Sequence, residues 1–574
     1  MTVWQTENTE PELAVQIERE LRLTSHISRF LAGQGFFSVE EVSSFLRADL
    51  SSIGDPFHLS GLEKAVARIW DAIERQETII VYGDYDADGI TGTALLVRVL
   101  KQLGALSVRP HLPDRESEGY GLSEISVQNL LENTDPDLLI TVDCGTNSVE
   151  ASKILAEAGV DLIVTDHHES SGELTRAFAH INPKLSEDNS LRMLAGVGVV
   201  FKLCHGIVKY GIHHKKIDQE SIDLRKYLDL AAIGTVVDIV PLTGQNRVLV
   251  KYGMKYLQKT SYPGLKALLQ ISGIRDSDQI SVSQLGYAIG PRLNAAGRLG
   301  EPETALELLM TNDVEVAEIL ATRLNSLNKK RKSICDKIFN EVVSRIEAMF
   351  NLEKDFGIMV HDPEWHEGVI GIVASRLVNT YCRPAAVATF DNDGNGRGSC
   401  RSVEGCNILN VLDSCSDLLE TFGGHNMAAG FSISLKNADK FAERFNEAIA
   451  KEVSNNNLEP TLKINGWLEL DDVNEQLIKE QNLLEPFGHG HPKPVWAIKG
   501  VQLTGNGCTT VGTNHLKFSV TDGNNYKEAI AFGMADNPVP EGRFDVAFVA
   551  EKNSFRGMDT IQLNVKDYRA TQPE

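Results

Sequence analysis

Three short, largely apolar runs constrain this chain most: 78–82 (Thr-Ile-Ile-Val-Tyr), 138–142 (Leu-Leu-Ile-Thr-Val) and 161–165 (Asp-Leu-Ile-Val-Thr). A strand without polar alternation is buried on both faces, which is the habit of parallel sheets covered by helices. Helical stretches at 91–103 and 149–158 separate the runs. Strand, loop and helix in alternation predict a parallel sheet with right-handed crossovers. Ligands of such sheets gather beyond the carboxyl ends of the strands. The residues that follow each run therefore carry the functional information.

Those residues are acidic groups and histidines. Asp84, Asp86 and Asp88 alternate between Gly83 and Gly89; Asp143 closes the second run; Asp166, His167 and His168 close the third; Asp238 follows a helical stretch at 227–235. A turn bounded by glycines lets alternating carboxylates converge, which a regular strand does not. Asp and His together bind hard-to-borderline divalent cations. A pair of such cations activates water and stabilises the leaving oxygen of a phosphodiester. Any one of these motifs alone reads as an acidic surface turn. Four in this order predict phosphate-ester hydrolysis at a two-metal site.

At 574 residues the chain exceeds what one core organises, so three or four domains are expected. Its 56 basic and 79 acidic residues give a formal charge of −23, which argues against non-specific coating of nucleic acid. It leaves room for a nuclease with local basic surface. Eight cysteines without a CxxC pair or zinc spacing read as buried apolar residues of a reducing cytosol, Cys144 beside Asp143 included. No apolar run approaches ~18 residues and the first residues lack a leader pattern. A cytoplasmic protein with no membrane contact is expected.

Residues 1–75 read as a helical cap on the first domain, 76–313 as the catalytic domain, and 314–352 as a long connecting helix. Residues 353–458 form a second α/β unit. Residues 459–574 hold five strand-like segments at 495–503, 515–521, 527–532, 544–551 and 559–566, which suit an OB-type barrel that binds single strands. The fold class is thus α/β: a parallel-sheet domain joined by a long helix to a second α/β domain, plus a C-terminal OB-like β-barrel. Leu516, Phe518 and Val520 alternate onto one face as barrel core, and Phe555-Arg556 is a stacking candidate in a turn. Lys329-Lys330-Arg331-Lys332 is a solvated helix face or a phosphate-tracking patch; Trp365 and His366 are candidates to face a channel, with core packing the alternative for Trp365.

The triplet Asp166-His167-His168, with the motifs 83–93, 194–199, 290–298 and 423–430, resembles the DHH phosphoesterases and, within them, the single-strand-specific exonucleases. The resemblance runs from about residue 25 to about residue 565. It implies hydrolysis of single-stranded DNA 5′→3′ to 5′-mononucleotides in repair and recombination, with two Mn²⁺ or Mg²⁺ ions. Helicases and single-strand-binding protein are the implied partners. Asp86 and Asp88 match the family's ligand pair, while Asp84 is either a ligand or an acceptor behind them. Asp143 matches a bridging carboxylate, although Cys144 stands where relatives carry Asn. His167 matches a ligand, His168 a contact to the scissile phosphate or to the water, and Asp238 completes the set. Asp166 either ligates or holds His167. Arg292, Asn294, Arg298, Arg401 and His425 are substrate-binding candidates, with Gly424 beside Gly423 permitting close backbone approach. Two rivals remain: a DHH enzyme for short oligonucleotides or cyclic dinucleotides, and a non-catalytic scaffold.

Overall fold

The computed structural model describes all residues except 1, 7–9, 116–117, 120, 171, 276, 352–353, 454–459, 506, 556–557 and 572–574. The Phe555-Arg556 turn lies outside what is described. The first domain is built on five parallel strands in the order Val108–His111, Ile79–Gly83, Leu138–Val142, Asp161–Thr165, Ala179–Ile181. Every residue of Ile79–Gly83 and Leu138–Val142 is buried. Side-chain alternation sends Ile79, Val81, Ile140 and Val142 into one core, against the helices Leu62–Arg75, Ala87–Gln102 and Gly196–His213. Ile80, Tyr82, Leu139 and Val164 enter the opposite core, under Glu124–Asn133 and Val149–Glu157. Two covered faces explain the absence of polar alternation in the sequence.

The helix Val314–Met349 is 36 residues long, about 54 Å at 1.5 Å per residue. Ala317, Ala321, Leu324 and Leu327 belong to the first core, and Cys335, Ile338, Val342 and Ile346 to the core of the second domain. One rigid rod thus carries both domains. The second domain has a mixed sheet ordered Leu419–His425, Ala428–Ser434, Asn395–Arg401, Ala385–Phe390, Ile358–His361. Trp365 is buried against this rod, with its indole donating to Glu341 at 3.3 Å, so it is core and not channel. His366 caps the helix Glu367–Tyr381, its Nδ1 accepting from the Gly368 amide at 3.0 Å.

The third domain closes a barrel through Trp496–Leu503, Phe544–Phe555, Met558–Ala570, Tyr526–Phe532 and His515–Thr521. The last strand returns to the first by pairing Gln502 with Thr521 and Leu503 with Val520. Leu516, Phe518 and Val520 lie in its core.

The N-terminal cap departs from expectation. Only Leu62–Arg75 and the residues just before it join the catalytic core. The helices Pro11–Leu21, Ser25–Ala32 and Val39–Arg47 bury Ile17, Ile27, Phe30 and Val42 in the barrel core, with Phe30 edge-on to Trp496 at 6.4 Å. Val3–Thr6 also pairs in parallel with Thr461–Ile464. Helical periodicity reveals that a face is buried but not against which partner. Buried Arg247 of the helix Gly244–Leu257 ties the parts together, donating to the carbonyls of Phe45, Glu485 and Pro486 at 3.0, 2.8 and 3.1 Å.

Candidate active site

The acidic loop after Ile79–Gly83 feeds directly into the helix Ala87–Gln102, and its carboxylates are placed by that junction. Asp86 caps the helix, its Oδ1 accepting from the amides of Asp88 and Gly89 at 2.9 and 3.1 Å. Asp88 points from the first turn to the start of a second helix, accepting from Gly196 and Val197 amides at 2.6 and 2.9 Å. Helix N-termini favour such negative charge. Gly196 and Gly234 are glycine for steric reasons: a Cβ on either would lie 2.7 Å from a carboxylate oxygen, of Asp143 and Asp88 respectively.

Asp143 ends its strand in the left-handed region (φ 64), a conformation Asp tolerates better than most residues. That turn brings its Oδ1 to 3.1 Å from His167 Nε2, which in turn lies 3.6 Å from Asp238 Oδ2 and 4.0 Å from Asp88 Oδ2. Asp238 is the C-cap of the buried helix Leu228–Val237. Three sets hold ligand atoms within 4.8 Å of one another: Asp84, Asp86 and Asp143; Asp88, His167 and Asp238; Asp143, His167 and His168.

Asp166 stays outside these sets. Its Oδ1 accepts from the His167 and His168 amides and lies 2.7 Å from His168 Nδ1, while Oδ2 accepts from the Thr146 amide at 2.9 Å. With both oxygens engaged it orients His168. Of the two expected roles, holding His167 is met here through that residue's amide, while the ring Asp166 engages is that of His168.

Charge is strongly frustrated here. Burial, then the neighbouring Asp86, push the Asp84 carboxyl well above the ordinary range and that of Asp88 up to about 7. Burial and Asp88 do the same to Asp143 and Asp238. Burial and adjacent His168 pull His167 down to about 4. Burial opposes charge on His168, but the hydrogen bond to Asp166 and the charges of Asp166, Asp84 and Asp86 together outweigh it and raise its pKa. Asp84 Oδ1, Asp143 Oδ1, His167 Nε2 and Asp238 Oδ2 are buried without a hydrogen-bond partner. Buried polar atoms are rarely left so. An anionic cluster with orphaned oxygens and one imidazole nitrogen facing a common space fits divalent cations.

Beside it lies a cleft of about 680 Å³ between the first two domains, lined by Arg115, Arg298, Arg397, Ser399, Arg401 and the Gly423-Gly424 edge, among others. Half-buried Arg298 donates to the Gly368 carbonyl at 3.0 Å; desolvation, with Arg115 and Arg331 nearby, pulls it down to about 10. Arg401 donates to Ser399 Oγ and the Cys400 carbonyl at 2.9 and 2.7 Å. Asn294 sits at the junction, accepting from the Ala87 amide at 2.7 Å.

Arg292 and His425 are not in the cleft lining. Arg292 donates to Asn325 and the carbonyls of Ala288 and Ile271, bracing helices against the long rod, and burial lowers its pKa. His425 is exposed at the end of an edge strand. Arg115, Arg397 and Ser399 were missed by sequence reasoning. The polar loop after the apolar residue Val108 was the available sign for Arg115, since it too leaves the carboxyl end of a strand.

Three family models match: the DHH family N-terminal domain over 78–235, the DHHA1 domain over 353–451 and the RecJ OB domain over 464–567. The single-stranded-DNA-specific exonuclease RecJ of Haemophilus influenzae is 35% identical over 536 residues, 90% of this chain and 92% of that protein. The chain belongs to the RecJ family. RecJ of Bacillus subtilis is 34% identical over 571 residues, 98% of this chain and 70% of its own length. The crystal structure of RecJ from Thermus thermophilus in complex with Mn²⁺ superposes with a TM-score of 0.84 at 30% identity, covering 100% of this chain and 80% of that one. The DHH model takes in the acidic cluster except Asp238, and the DHHA1 model most of the cleft lining.

Proposed function

We propose that this chain is a metal-dependent exonuclease that degrades single-stranded DNA 5′→3′ to 5′-mononucleotides. The observation that carries the reading is the convergence of four buried atoms without a hydrogen-bond partner, Asp84 Oδ1, Asp143 Oδ1, His167 Nε2 and Asp238 Oδ2. Asp84, Asp86 and Asp143 would hold one cation, and Asp88, His167 and Asp238 the other, with Asp143 between them. Asp88 retains lone pairs for this despite its two amide bonds. Two Mn²⁺ or Mg²⁺ ions would supply Lewis-acid activation of a water and neutralise charge at the scissile phosphate.

The chain's own residues do the rest. Asp166 holds His168 as a donor toward a non-bridging phosphate oxygen, its ring partly open to the site. Arg298 and Arg401 bond only neutral oxygens in the contacts given above, so their charge is available to a phosphate. With Arg115 they suit the terminal phosphate of a strand whose next linkage lies over the carboxylates. Binding an end beside the reacting centre is what distinguishes an exonuclease. The barrel fits the role of single-strand holder, and cytoplasmic repair and recombination with helicases and single-strand-binding protein is the setting this reading implies. A phosphodiesterase for short oligonucleotides or cyclic dinucleotides would have no use for the closed barrel.

The test is a long single strand labelled at its 5′ end, incubated with Mn²⁺ or with EDTA. Immediate release of labelled mononucleotide, with metal only, is expected. Loss of a 3′ label first would reverse the polarity, and an intact strand would move the assignment to small substrates.

A further inference from the structure

Two large apolar side chains stand exposed on the rim of the acidic cluster, away from the arginine cleft lining. Ile239, 67% exposed, directly follows Asp238; Met193, 50% exposed, directly precedes Leu194, whose backbone is a hydrogen-bond partner of the His167 ring. Buried Asn246 joins their loops, donating from one amide nitrogen to the carbonyls of Met193 and Pro241. The two side chains therefore sit on tied segments, each one residue from a contact of His167.

Ile239 is costly to the fold in two ways. It occupies the left-handed region (φ 62) just past the C-cap of Leu228–Val237, a position that favours glycine and strains a β-branched residue. It also leaves its side chain in water. An outlier of this kind beside a reacting centre points to a use outside the fold.

We propose that Met193 and Ile239 form an apolar lip that grips a nucleobase of the strand next to the scissile linkage. This rests on the exonuclease reading above. Phosphate at the carboxylates leaves the attached base within reach of the rim. Aliphatic contact with the face of a base is independent of its identity, as degradation of any sequence requires. The lip fixes the reacting nucleotide laterally, while the guanidinium groups hold the strand by charge.

The experiment uses the Mn²⁺-loaded full chain as wild type, Met193→Ala and Ile239→Gly. Each is assayed on a 5′-phosphorylated oligothymidylate and on the same strand with abasic residues at its first two positions. Strand binding is also measured by fluorescence anisotropy in EDTA. Expected for each variant is a rise of about tenfold in KM and Kd on the base-bearing strand, with kcat little changed. The abasic strand should bind weakly to wild type and no more weakly to either variant. Ile239→Gly should melt no lower than wild type, because glycine relieves the positive φ; that separates a lost contact from a damaged fold. Unchanged KM and Kd in folded variants, on a wild type that cleaves the strand, would overturn the lip alone. Equal losses on both strands would also overturn it. A wild type that cleaves neither strand would remove the exonuclease reading, and the lip with it.

Discussion

Asp143 and Asp166 are both buried carboxylates at strand ends, yet their surroundings give them different work. Asp143 Oδ1 has no hydrogen-bond partner, whereas both oxygens of Asp166 are engaged. Asp143→Ala should therefore lower turnover more than Asp166→Asn, for which ~10–100-fold is the usual cost of losing an orienting partner. Steady-state assays rank the two, and retained strand binding by Asp143→Ala checks that its fold survives. The arginines divide in the same way. Arg401→Ala should raise KM for a 5′-phosphorylated strand by about 10–100-fold, the worth of one charge-assisted hydrogen bond. Arg292→Ala should leave KM alone and lower stability, because its partners are backbone carbonyls and Asn325.

Among the elements, the sheet was the most legible in the sequence and the N-terminal helices the least. Ile79–Gly83 and Leu138–Val142 are recognisable because two buried faces erase polar alternation, and the carboxyl-end rule then locates Asp84, Asp143 and Asp166. Ser25–Ala32 shows an apolar stripe equally well, but nothing in that stripe specifies the barrel as its partner. Arg115 and Ser399 meet only because the rod Val314–Met349 sets one domain against the other, a relation no local pattern encodes. Where the N-terminal helices meet Arg247 and the segment before the barrel, His491 is buried, its Nε2 donating to the Leu484 carbonyl at 2.9 Å and its ring stacked on Phe487 at 5.2 Å. Burial pulls it down to about 4 from an ordinary 6.5. Between those pH values the unfolded chain binds a proton the folded one refuses, so stability rises with pH and is lost on acidification. The contribution is on the order of 3 kcal/mol. Urea denaturation at pH 7 and pH 4.5 should show a smaller acid loss for His491→Gln than for wild type.

For the whole molecule the dominant fact is an acidic cluster that folding assembles against its own repulsion. Cations that bind the folded state alone stabilise it by about 2.7 kcal/mol at a hundred times Kd. Mn²⁺ should therefore raise Tm over EDTA, and Asp143→Ala should abolish most of that rise. A calorimetric scan reads this without any substrate. A Tm insensitive to Mn²⁺ in the wild type would count against the two-cation site itself.

The barrel core also sets a schedule for synthesis. Ile17, Ile27 and Phe30 leave the ribosome early, but the strands they pack against, from Trp496 onward, come only after both α/β domains have been made. At ~5–20 residues per second that interval lasts tens of seconds. Throughout it the apolar faces of three helices wait without their partner, while the catalytic sheet has every strand it needs. The first domain can thus fold during translation, whereas the oldest part of the chain is among the last to find its place.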